Sequence, residues 1–496
     1  MSDNDTSESL SSNLIEVRSQ KRTRLIELGI DPYPASFKRS TTTAQIIARH
    51  QDLPNDTVTD DRVIIAGRIY AARNSGMFID LRDAEGKIQV FTHKNVTGKD
   101  SLALIELVDL GDLIGVEGIV RRTKRGELTV NAERISMLCK TLRPMPEKWH
   151  GLTDVENRYR KRYLDVMVNE ETRTRLRARS HILAGIRDFM AADGFIEVET
   201  PMLHPVYGGA TAQPFVTHHN ALDQDMYLRI APELFLKRVL VSGLSDRVFE
   251  VNRNFRNERL STRHNPEFTM LEAYWSYADY TDAMILTERM FAHLATMIHG
   301  STSFAFGSHE LSFAAPFSRL PMPQAVTDKT NVDFLSINGD EDARKAARGL
   351  GLQVDPGLSW GETLSLVFEE FVEADLVQPV HVTHYPKDIS PFAKQMSDDS
   401  RLVERFETYC NGWEICNAFS ELNDPVEQRR RMIDQVERAQ ERGEMGRRLD
   451  LDFLEAMDHG MPPAAGLGIG VDRLIMLLTN ASSIREVIMF PTLKQT

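Results

Sequence analysis

A short charged segment between two β-rich runs is the feature that most constrains how this chain can fold. Phe255–Glu258 reads Phe-Arg-Asn-Glu, and Arg263–Phe268 reads Arg-His-Asn-Pro-Glu-Phe. The runs on either side, Arg247–Val251 and Phe268–Leu271, are apolar and β-rich, so the pattern predicts two strands joined by a charged loop. A guanidinium holds a phosphate through two hydrogen bonds, and an aromatic ring stacks on a base. The segment therefore indicates nucleotide binding.

The C-terminal part lacks the sequence signals of the common nucleotide-binding folds. It has no early glycine-rich strand-to-helix turn and no Gly-x4-Gly-Lys-Ser/Thr phosphate loop. Instead, Ile182–Met190 forms an apolar helical face that stops at Gly194, Phe195–Pro201 predicts a strand, and Gln428–Met445 predicts a charged helix. We therefore predict an α+β domain with a mainly antiparallel sheet flanked by helices.

The N-terminal part predicts a small β-barrel. A helix, Ser101–Val108, is predicted between the third and fourth of its strands. This order matches a five-stranded oligonucleotide-binding (OB-fold) barrel, although a generic small β-barrel fits the same pattern. The predicted strands are Val63–Tyr70, Met77–Arg82, Lys87–Thr92, Leu113–Arg122 and Glu127–Ala132.

The length of 496 residues requires more than one hydrophobic core. Pro144 and Pro146 mark a connector after the barrel, and the acidic, serine-rich Met1–Ser12 predicts a disordered tail. We predict a tail and helical segment over residues 1–60, the OB-fold over 61–142, a connector over 143–170 and the α+β domain over 171–496.

Composition narrows the setting and the partners. The three cysteines, Cys139, Cys410 and Cys416, form no Cys-x-x-Cys pair, which disfavours a zinc site and fits a reducing, cytoplasmic setting. No apolar run is long enough for a transmembrane helix. The net charge of −13 disfavours indiscriminate binding to anionic polymers. One set of basic residues is either a nucleic-acid-binding patch or an ordinary solvated surface: Arg121, Arg122, Lys124, Arg125, Lys140, Arg143, Lys148, Arg158, Arg160, Lys161 and Arg162.

Three segments in order identify a family resemblance. They are the helix and strand that end at Pro201, the arginine loop at 255–268, and Gly466–Leu474, which reads Gly-Leu-Gly-Ile-Gly-Val-Asp-Arg-Leu. Together they resemble the three signature motifs of class II aminoacyl-tRNA synthetases. Further segments resemble the lysine-specific family of that class, the lysyl-tRNA synthetases, and the resemblance runs from about Val17 to the C-terminus. These segments are Gly151–Asp154, Arg158–Asp165, Ala231–Lys237, Ser390–Lys394 and Phe419–Pro425.

The resemblance implies a two-step ligase that uses ATP and Mg²⁺. L-lysine reacts with ATP to give lysyl-adenylate and pyrophosphate, and the lysyl group then passes to the 3′ end of tRNA(Lys) with release of AMP. The resemblance also implies a cytoplasmic homodimer that acts in protein biosynthesis.

The resemblance assigns ATP binding to the charged loop and the third motif. Arg256 would bridge the α-phosphate and the substrate carboxylate, and Phe268 and Arg473 would enclose the adenine ring. A buried salt bridge is the alternative role for Arg256 and Arg473. The complete implied set is Arg256 and Arg473 (catalytic), Glu258 (adenine side), Arg263 and His264 (β- and γ-phosphates), Asn265 and Phe268.

Lysine selection is implied to depend on acidic side chains, because the substrate ends in an ammonium group. A site with buried acids disfavours amino acids that lack this group, although ornithine and arginine are harder to exclude. The implied residues are Glu272, Glu421 and Tyr274 for the side chain, Gly209 and Glu233 for the α-amino group, and Asn417 and Arg256 for the carboxylate.

Two further sites follow from the resemblance. Glu407 and Glu414 would bind Mg²⁺ between the ATP phosphates, and two surface acids are the alternative. In the barrel, Arg68, Phe78, Gln89 and Glu127 would contact the tRNA anticodon, whereas Phe78 could equally be a core residue.

The chain departs from the family pattern at Arg259, where glycine is usual, at the barrel turn Asn74–Gly76, and at Ala464, where threonine is common. Rival functions are lysyl transfer to a protein, an inactive RNA-binding paralogue, and lysyl-lipid synthesis. The barrel disfavours the first, the presence of Arg256, Glu414 and Arg473 disfavours the second, and the absence of membrane spans disfavours the third.

Overall fold

The computed structural model describes residues 3–146, 152, 154–210, 212–441 and 448–494. It divides into two compact units, Met1–Thr153 and Asp154–Thr496. Lys148, Gly151 and Thr153 lie outside the described residues, as do Met1 of the predicted tail and Met445 at the end of the helix predicted from Gln428.

In its described residues, the first unit contains the barrel strands and three helices. In chain order its elements are α1 (Asp3–Glu27), α2 (Thr43–Arg49), β1 (Thr57–Arg73), β2 (Phe78–Arg82), β3 (Lys87–Phe91), α3 (Lys99–Ile105), β4 (Leu113–Arg122) and β5 (Leu128–Cys139).

The barrel strands pair in the order β1-β2-β3-β5-β4, and β4 pairs again with β1. Alternate side chains point inward, so Ile65, Ile79, Val90 and Val116 are fully buried in one core. All five predicted strands and the predicted helix are present, with ends shifted by up to seven residues. The predicted order of elements is therefore confirmed.

The prediction of a disordered Met1–Ser12 is wrong from Asp3 onward, where α1 begins. The polar composition indicated that this segment has little apolar surface to bury. A helix, however, satisfies its backbone hydrogen bonds within itself, so a polar composition does not prevent its formation.

The second unit is built around one large sheet with helices. Its elements are α4 (Val155–Arg160), α5 (Arg162–Val168), α6 (Glu170–Ala192), β6 (Ile196–Glu197), β7 (Leu203–His204), β8 (Val216–His219), β9 (Gln224–Leu228), α7 (Glu233–Ser242), β10 (Arg247–Phe255), β11 (Glu267–Ser276), α8 (Tyr280–His299), β12 (Ser303–Phe306), β13 (His309–Ser312), β14 (Ser318–Pro321), α9 (Met322–Thr330), α10 (Asp340–Gly349), α11 (Trp360–Phe371), β15 (Val380–Pro386), β16 (Leu402–Cys410), β17 (Trp413–Ser420), α12 (Pro425–Glu441), α13 (Leu451–Asp458), β18 (Ala464–Gly470), α14 (Val471–Leu478) and α15 (Ile484–Val487).

Among the described residues, eight strands form the main sheet in the order β14-β15-β16-β17-β18-β11-β10-β6. The inner pairings are antiparallel, but β14 with β15 and β10 with β6 are parallel. The sheet is therefore mixed rather than purely antiparallel. The parallel edges join segments that are far apart along the chain, so hairpin patterns in the sequence do not indicate them.

Strand alternation divides the sheet into a packed face and an open face. Leu271, Ala273 and Ile469 belong to a core that also contains residues of α6, α8 and α14. The intervening residues Glu272 and Gly468 point to the opposite face. The same strands therefore supply both the hydrophobic core and the polar groups of a cavity.

Several local predictions are refined by the structure. The strands β10 and β11 pair from Arg247 with Trp275 to Phe255 with Glu267, as the charged-loop pattern predicted. The helix α6 ends near Gly194, whose φ of +84° lies in the left-handed region that glycine adopts without strain. The strand predicted over Phe195–Pro201 is only Ile196–Glu197, because only Val248 and Phe249 of β10 pair with it.

Two cations of the proposed basic patch do not belong to a solvated surface. Lys140 is buried and pairs with Asp109 at 2.5 Å and Asp112 at 2.8 Å. Arg162 is also buried and pairs with Asp165 at 2.8 Å. No described helix has the length and apolar character needed to cross a membrane.

Candidate active site

A cavity of about 810 Å³ opens on the polar face of the large sheet. Its wall includes residues of the β10–β11 loop, the β16–β17 hairpin and the β18–α14 junction. The glycines Gly466, Gly468 and Gly470 alternate along β18 on this side, and their lack of side chains leaves space above the sheet.

Arg256 is a half-buried cation whose Nε atom has no hydrogen-bond partner among the described residues. Its guanidinium carbon lies 5.1 Å from the centre of the Phe268 ring. Burial lowers the pKa of Arg256, and the carboxylates of Glu414, Glu258 and Glu272 oppose this change. Because arginine remains charged and keeps unused donors here, the position suits a bound anion.

Arg473 links the third motif to the charged loop. Its Nη1 donates to the Glu414 backbone oxygen at 2.6 Å, and its Nη2 lies 3.0 Å from His264 Nε2. Arginine can only donate, so His264 Nε2 accepts and the imidazole is neutral with its proton on Nδ1, 2.8 Å from Ser261 Oγ. Burial and the charges of Arg473 and Arg263 also lower the pKa of His264.

The other loop residues have different exposures. Glu258 is exposed at the cavity wall, and Arg263 donates to the Gly412 backbone oxygen at 3.2 Å. Asn265 is buried, and its Nδ2 donates to the Glu267 backbone oxygen at 2.6 Å while its Oδ1 accepts from Thr492 N at 3.3 Å. The Asn265 side chain therefore holds the loop in shape.

Glu272 is a buried acid in the floor of the cavity. Its carboxylate accepts from Tyr274 Oη at 3.3 Å and from Asn254 Nδ2 at 3.5 Å. Burial, followed by the negative charge of Glu233, raises the pKa of Glu272 to about 8. A cationic ligand would stabilise the ionised form of this buried carboxyl group.

Glu233 and Glu421 share a cation that belongs to the protein. Lys237 Nζ lies 2.6 Å from Glu233 Oε1 and 2.6 Å from Glu421 Oε2. Gly209 approaches Glu233 closely, because a Cβ at Gly209 would lie 3.1 Å from the Glu233 Cβ. Glu421 itself lies behind Gly466, where a Cβ would stand 1.8 Å from Glu421 Oε1.

Asn417 and Glu407 are held in place by Arg405. Arg405 Nε donates to Asn417 Oδ1 at 2.9 Å, and its Nη2 donates to Glu407 Oε1 at 2.5 Å. The other Glu407 oxygen accepts from the Tyr385 and Tyr409 hydroxyls, each at 2.8 Å. The Glu407 side chain is thus fixed in the cavity wall.

Glu414 is the freer member of the carboxylate pair. Its side chain is 43% exposed, and its Oε2 lies 3.4 Å from Arg473 Nη1. Partial loss of solvent inside the cavity, followed by the charge of Glu407, raises its pKa. No cluster of three or more His, Cys, Asp or Glu ligands occurs within the described parts of the chain. A metal here would therefore take its remaining ligands from a bound molecule or from water.

The two nearby cysteines are buried in the sheet. Cys410 ends β16, and Cys416 lies in β17. Burial raises the pKa of each thiol to about 12.

The barrel places Phe78 on its outer face, since its neighbour Ile79 is the residue buried in the core. The Phe78 and Phe91 rings are 5.2 Å apart, and the Arg121 guanidinium lies 4.6 Å from the Phe91 ring. Gln89 stands beside this pair and accepts from Thr129 Oγ1 at 3.1 Å. These groups form an aromatic and polar surface.

The remaining two barrel residues lie apart from Phe78. Arg68 pairs in register with Arg82, at the other end of β2, and donates to the Gly111 backbone oxygen at 2.7 Å. Glu127 is exposed at the turn before β5. The structure therefore brings Phe78 and Gln89 together, but not Arg68 with Phe78.

Comparison with known proteins agrees with both units. A family model described as "tRNA synthetases class II (D, K and N)" matches residues 154–494, and one described as "OB-fold nucleic acid binding domain" matches residues 63–138. A protein named lysine–tRNA ligase from Rhizobium etli is 63% identical over 491 residues, which cover 99% of each chain. This chain belongs to the lysine–tRNA ligase family of class II synthetases.

More distant members of the lysine–tRNA ligase family align over almost the same length. The protein of that name from Rhizobium meliloti is 62% identical over 495 residues, covering 100% of this chain and 99% of the relative. The one from Carboxydothermus hydrogenoformans is 47% identical over 483 residues, covering 97% of this chain and 98% of the relative. The family resemblance and the OB-fold prediction are confirmed.

Sequence patterns missed several residues that shape the site of this lysine–tRNA ligase family member. Asp472 accepts from Arg179 Nη1 at 2.5 Å and from Thr269 N at 2.7 Å, which ties α14 to α6 and β11. Arg405 and Lys237 also contact the predicted residues. Asp472 and Lys237 lie inside sequence motifs quoted above, but the sequence does not show which distant residues they contact.

The three departures from the family pattern have distinct structural settings. Arg259 is exposed at the cavity wall, and Ala464 is buried at the start of β18. Asn74, Ser75 and Gly76 all have positive φ, between 51° and 83°. The barrel turn therefore uses left-handed backbone, which asparagine and glycine tolerate well.

Proposed function

We propose that this chain attaches L-lysine to tRNA(Lys) for translation. It activates lysine with ATP to lysyl-adenylate and pyrophosphate, then transfers the lysyl group to the 3′ end of the tRNA and releases AMP. The observation that carries this proposal is the buried acid Glu272 in the same cavity as the half-buried, incompletely bonded Arg256. One end of the cavity favours a cationic side chain, and the other favours anions.

The first step needs two anions to approach each other. The lysine carboxylate oxygen forms a bond to the α-phosphorus, while the bond from that phosphorus to the β-phosphate bridging oxygen breaks. Arg256 would lie between the two anions and reduce their repulsion. Arg263 and Arg473 add positive charge to the same wall, so positioning and charge compensation replace a protein nucleophile.

ATP is proposed to lie along the loop and the third motif. Phe268 supplies an aromatic face for the adenine, with Arg473 as its cationic partner. His264 is neutral in this structure, so it would serve the phosphates as a hydrogen-bonding group rather than as a cation. Glu258 is positioned at the exposed wall to accept from the base, and Asn265 supports the loop.

Lysine is proposed to lie with its ammonium group toward Glu272 and Glu421, assisted by the Tyr274 hydroxyl. Glu233 and the backbone at Gly209 would bind the α-amino group, and Asn417 would bind the carboxylate together with Arg256. Both acids line the same cavity, and Gly209 approaches Glu233 closely, which supports this arrangement.

Mg²⁺ is the metal that we expect at Glu407 and Glu414. Carboxylate oxygens are the ligands Mg²⁺ prefers, and it commonly uses one or two of them together with phosphate oxygens. The pKa of Glu414 is raised, partly by the charge of Glu407, so the protein compensates its ionised form only in part. A nearby divalent cation would favour that ionised form, which supports the fit. When bound, the ion would neutralise charge on the ATP phosphates.

The assembly and location follow from this function. We propose that the protein works as a homodimer in the cytoplasm. Its barrel, residues 61–142, would read the anticodon through Phe78 in β2 and Gln89 in β3, with Arg68 in β1 and Glu127 at the turn before β5. The connector over 143–170 and the catalytic domain over 171–496 stay predictions.

Amino-acid-dependent exchange between ATP and pyrophosphate tests the proposal across all standard amino acids. Lysine alone should support strong exchange, and lysine should be charged onto tRNA(Lys). The matching family model covers class II synthetases for aspartate, lysine and asparagine, so the other two amino acids are the alternatives to test. Exchange driven by aspartate or asparagine would contradict the proposed choice of lysine.

A Glu272→Gln variant locates the specificity within the cavity. The Michaelis constant (KM) for lysine should rise by about tenfold or more, since a charge-assisted contact of about 1.5–3 kcal/mol is lost, while the KM for ATP stays unchanged. Glu310→Gln, an exposed acid in β13, is the matched control. Equal effects of the two substitutions would argue against the assigned lysine site.

A further inference from the structure

Lys237 is a buried cation that the proposed reaction does not use. Its side chain is fully buried, and its Nζ lies 4.6 Å from the Phe392 ring centre and 5.6 Å from that of Phe419. It follows Glu233 by one helical turn on α7, so the two face the same side of the helix. Nearby carboxylates raise its pKa against the opposing effect of burial, which keeps it charged.

Lys237 engages one oxygen from each of two carboxylates. It takes Glu233 Oε1 and Glu421 Oε2, both at 2.6 Å. Neither Glu421 oxygen has a hydrogen-bond partner among the described residues: Oε2 is held only by its ion pair with Lys237, and Oε1 faces Gly466, which lines the cavity. Glu233 Oε2 lies near Gly209, another lining residue. Each carboxylate therefore keeps one oxygen toward the cavity.

The local charges leave room for two more cations. Glu233, Glu272 and Glu421 supply three carboxyl groups, and Lys237 supplies one positive charge. When all three carboxyls are ionised, two negative charges are unmatched. The α-ammonium and ε-ammonium of free lysine provide two positive charges, so the substrate would complete the balance.

We propose that Lys237 is a positioning residue that sets the distance between the two ammonium subsites and thereby selects the length of the substrate side chain. This inference rests on the proposed lysine site. Because Lys237 ties Glu233 and Glu421 to a common point, the two free oxygens keep a fixed separation. A fixed separation favours one side-chain length, so we expect ornithine, one methylene shorter than lysine, to reach the two oxygens less well.

A purely structural salt bridge would have different consequences. Loss of such a bridge lowers stability, but it does not alter the preference between two substrates that differ only in length. Among the described residues, the carboxylates that pair with Lys237 are Glu233 and Glu421, both assigned to the lysine site rather than to ATP. Substrate preference therefore separates the two roles.

The test compares wild type with Lys237→Met in lysine- and ornithine-dependent exchange between ATP and pyrophosphate. We expect the KM for lysine to rise by about tenfold or more, and the ratio of kcat/KM for lysine over ornithine to fall by about tenfold, because Glu233 and Glu421 lose the cation that holds them in place. The KM for ATP should stay within about twofold. Unchanged lysine preference in folded Lys237→Met overturns the proposal.

The pH profile supplies a second readout. Glu233, Glu421, Glu272 and Tyr274 are the titratable groups around this ion pair. Removing the Lys237 charge makes the acids harder to ionise, so the lowest KM for lysine should move to higher pH in Lys237→Met. A profile identical to that of wild type contradicts the proposal.

Two further variants keep the test decisive. Lys237→Arg retains the charge but carries a longer, planar group, so it should fold and still change the lysine-to-ornithine ratio severalfold; an unchanged ratio overturns the proposal even if Lys237→Met does not fold. Arg238→Met removes the next cation of α7, which pairs with Asp450, and should leave the ratio unchanged. Wild type without lysine-dependent exchange would instead refute the proposed function.

Discussion

At the scale of single residues, the cavity contains acids that are already buried in the unliganded protein. Glu272 has a pKa of about 8, so the empty site holds a neutral carboxyl at neutral pH. An ammonium ligand favours the ionised form, and binding below pH 8 therefore releases a proton. Burial raises the pKa of Glu421 to about 8 as well, so lysine affinity and protonation are coupled at both acids.

This coupling predicts a pH-dependent lysine KM. Between pH 6.5 and pH 8 the KM should fall by up to about tenfold per pH unit, and it should level off above pH 8. Glu272→Gln should make the dependence shallower, because the amide cannot titrate while Glu421, with its pKa also raised to about 8, still can. Exchange kinetics across this range provide the measurement, and an equally steep profile in the variant would rule out Glu272 as the titrating group.

The same pKa shift affects the stability of the unliganded protein in the opposite sense. The pKa of Glu272 is raised from 4.5 to about 8, so the folded state binds the proton more tightly than the unfolded state. The stabilising contribution is complete below pH 4.5 and is lost as pH rises through 8. Bound lysine would restore that loss.

Gly466→Ala should damage the lysine site. The new Cβ would lie 1.8 Å from Glu421 Oε1 and 2.7 Å from Tyr274 Cε1, so both side chains must move. We expect a rise in the KM for lysine and a loss of about 1–3 kcal/mol in the free energy of unfolding.

Gly468→Ala is the matched control on the same strand, and its nearest neighbour is the flexible end of Met270 at 3.3 Å. Its effects should be clearly smaller. Kinetics and chemical denaturation of the pair provide the comparison; equal effects would mean that the contact with Glu421 is unimportant.

Sequence patterns predicted the residues whose signal is local. Arg256, Phe268 and Arg473 lie in contiguous motifs, so their cavity position could be expected. The role of Lys237 could not, because one of its partners, Glu421, is distant in sequence and belongs to another element. Alternation alone also left Phe78 ambiguous, and the barrel register was needed to place it on the outer face.

At the scale of elements, Asp472 joins three parts of the catalytic unit. It stands in the first turn of α14, receives a hydrogen bond from the β11 backbone at Thr269, and pairs with Arg179 of α6. Arg179 also donates to Thr269 Oγ1 at 3.0 Å. These contacts fix the helix that carries Arg473 against the strand that carries Phe268.

Asp472→Asn should therefore weaken both the fold and ATP binding. Loss of one charge from a buried pair costs about 3–5 kcal/mol, so the free energy of unfolding should fall by a similar amount. The KM for ATP should rise more than the KM for lysine. Chemical denaturation measures the free energy of unfolding, and exchange kinetics measure the two KM values. A stable variant with an unchanged KM for ATP would show that the Asp472 contacts do not position Arg473 and Phe268.

Strands that pair with a neighbour along the chain were easier to predict from the sequence than strands that pair with a distant one. The pairs β10–β11, β1–β2, β2–β3 and β4–β5 join neighbours in sequence, and their strands were predicted. The parallel edge pairings were not predicted, because β14–β15 and β6–β10 join segments separated by other elements. Amphipathic periodicity shows that a strand exists, but it does not identify a remote partner.

At the scale of the whole molecule, the two units have separate tasks in the proposed function. Activation of lysine needs only the cavity of the second unit, whereas recognition of the tRNA anticodon is assigned to the barrel. A substitution in the barrel should therefore affect charging without affecting adenylate formation.

Phe78→Ala tests this separation. The KM for tRNA(Lys) in charging should rise by about fivefold to a hundredfold, since base stacking contributes about 1–3 kcal/mol, while exchange between ATP and pyrophosphate stays unchanged. Val58→Ala, an exposed residue of β1, serves as the control. Unchanged charging by Phe78→Ala would contradict the anticodon assignment.

The buried thiols of Cys410 and Cys416 bear on how this cavity could be inhibited. With pKa values of about 12, neither provides a reactive thiolate at physiological pH. Electrophilic drugs that rely on alkylating cysteine would find no target in the strands of this wall. Medicinal chemistry directed at the pocket is therefore better served by reversible mimics of an aminoacyl phosphate.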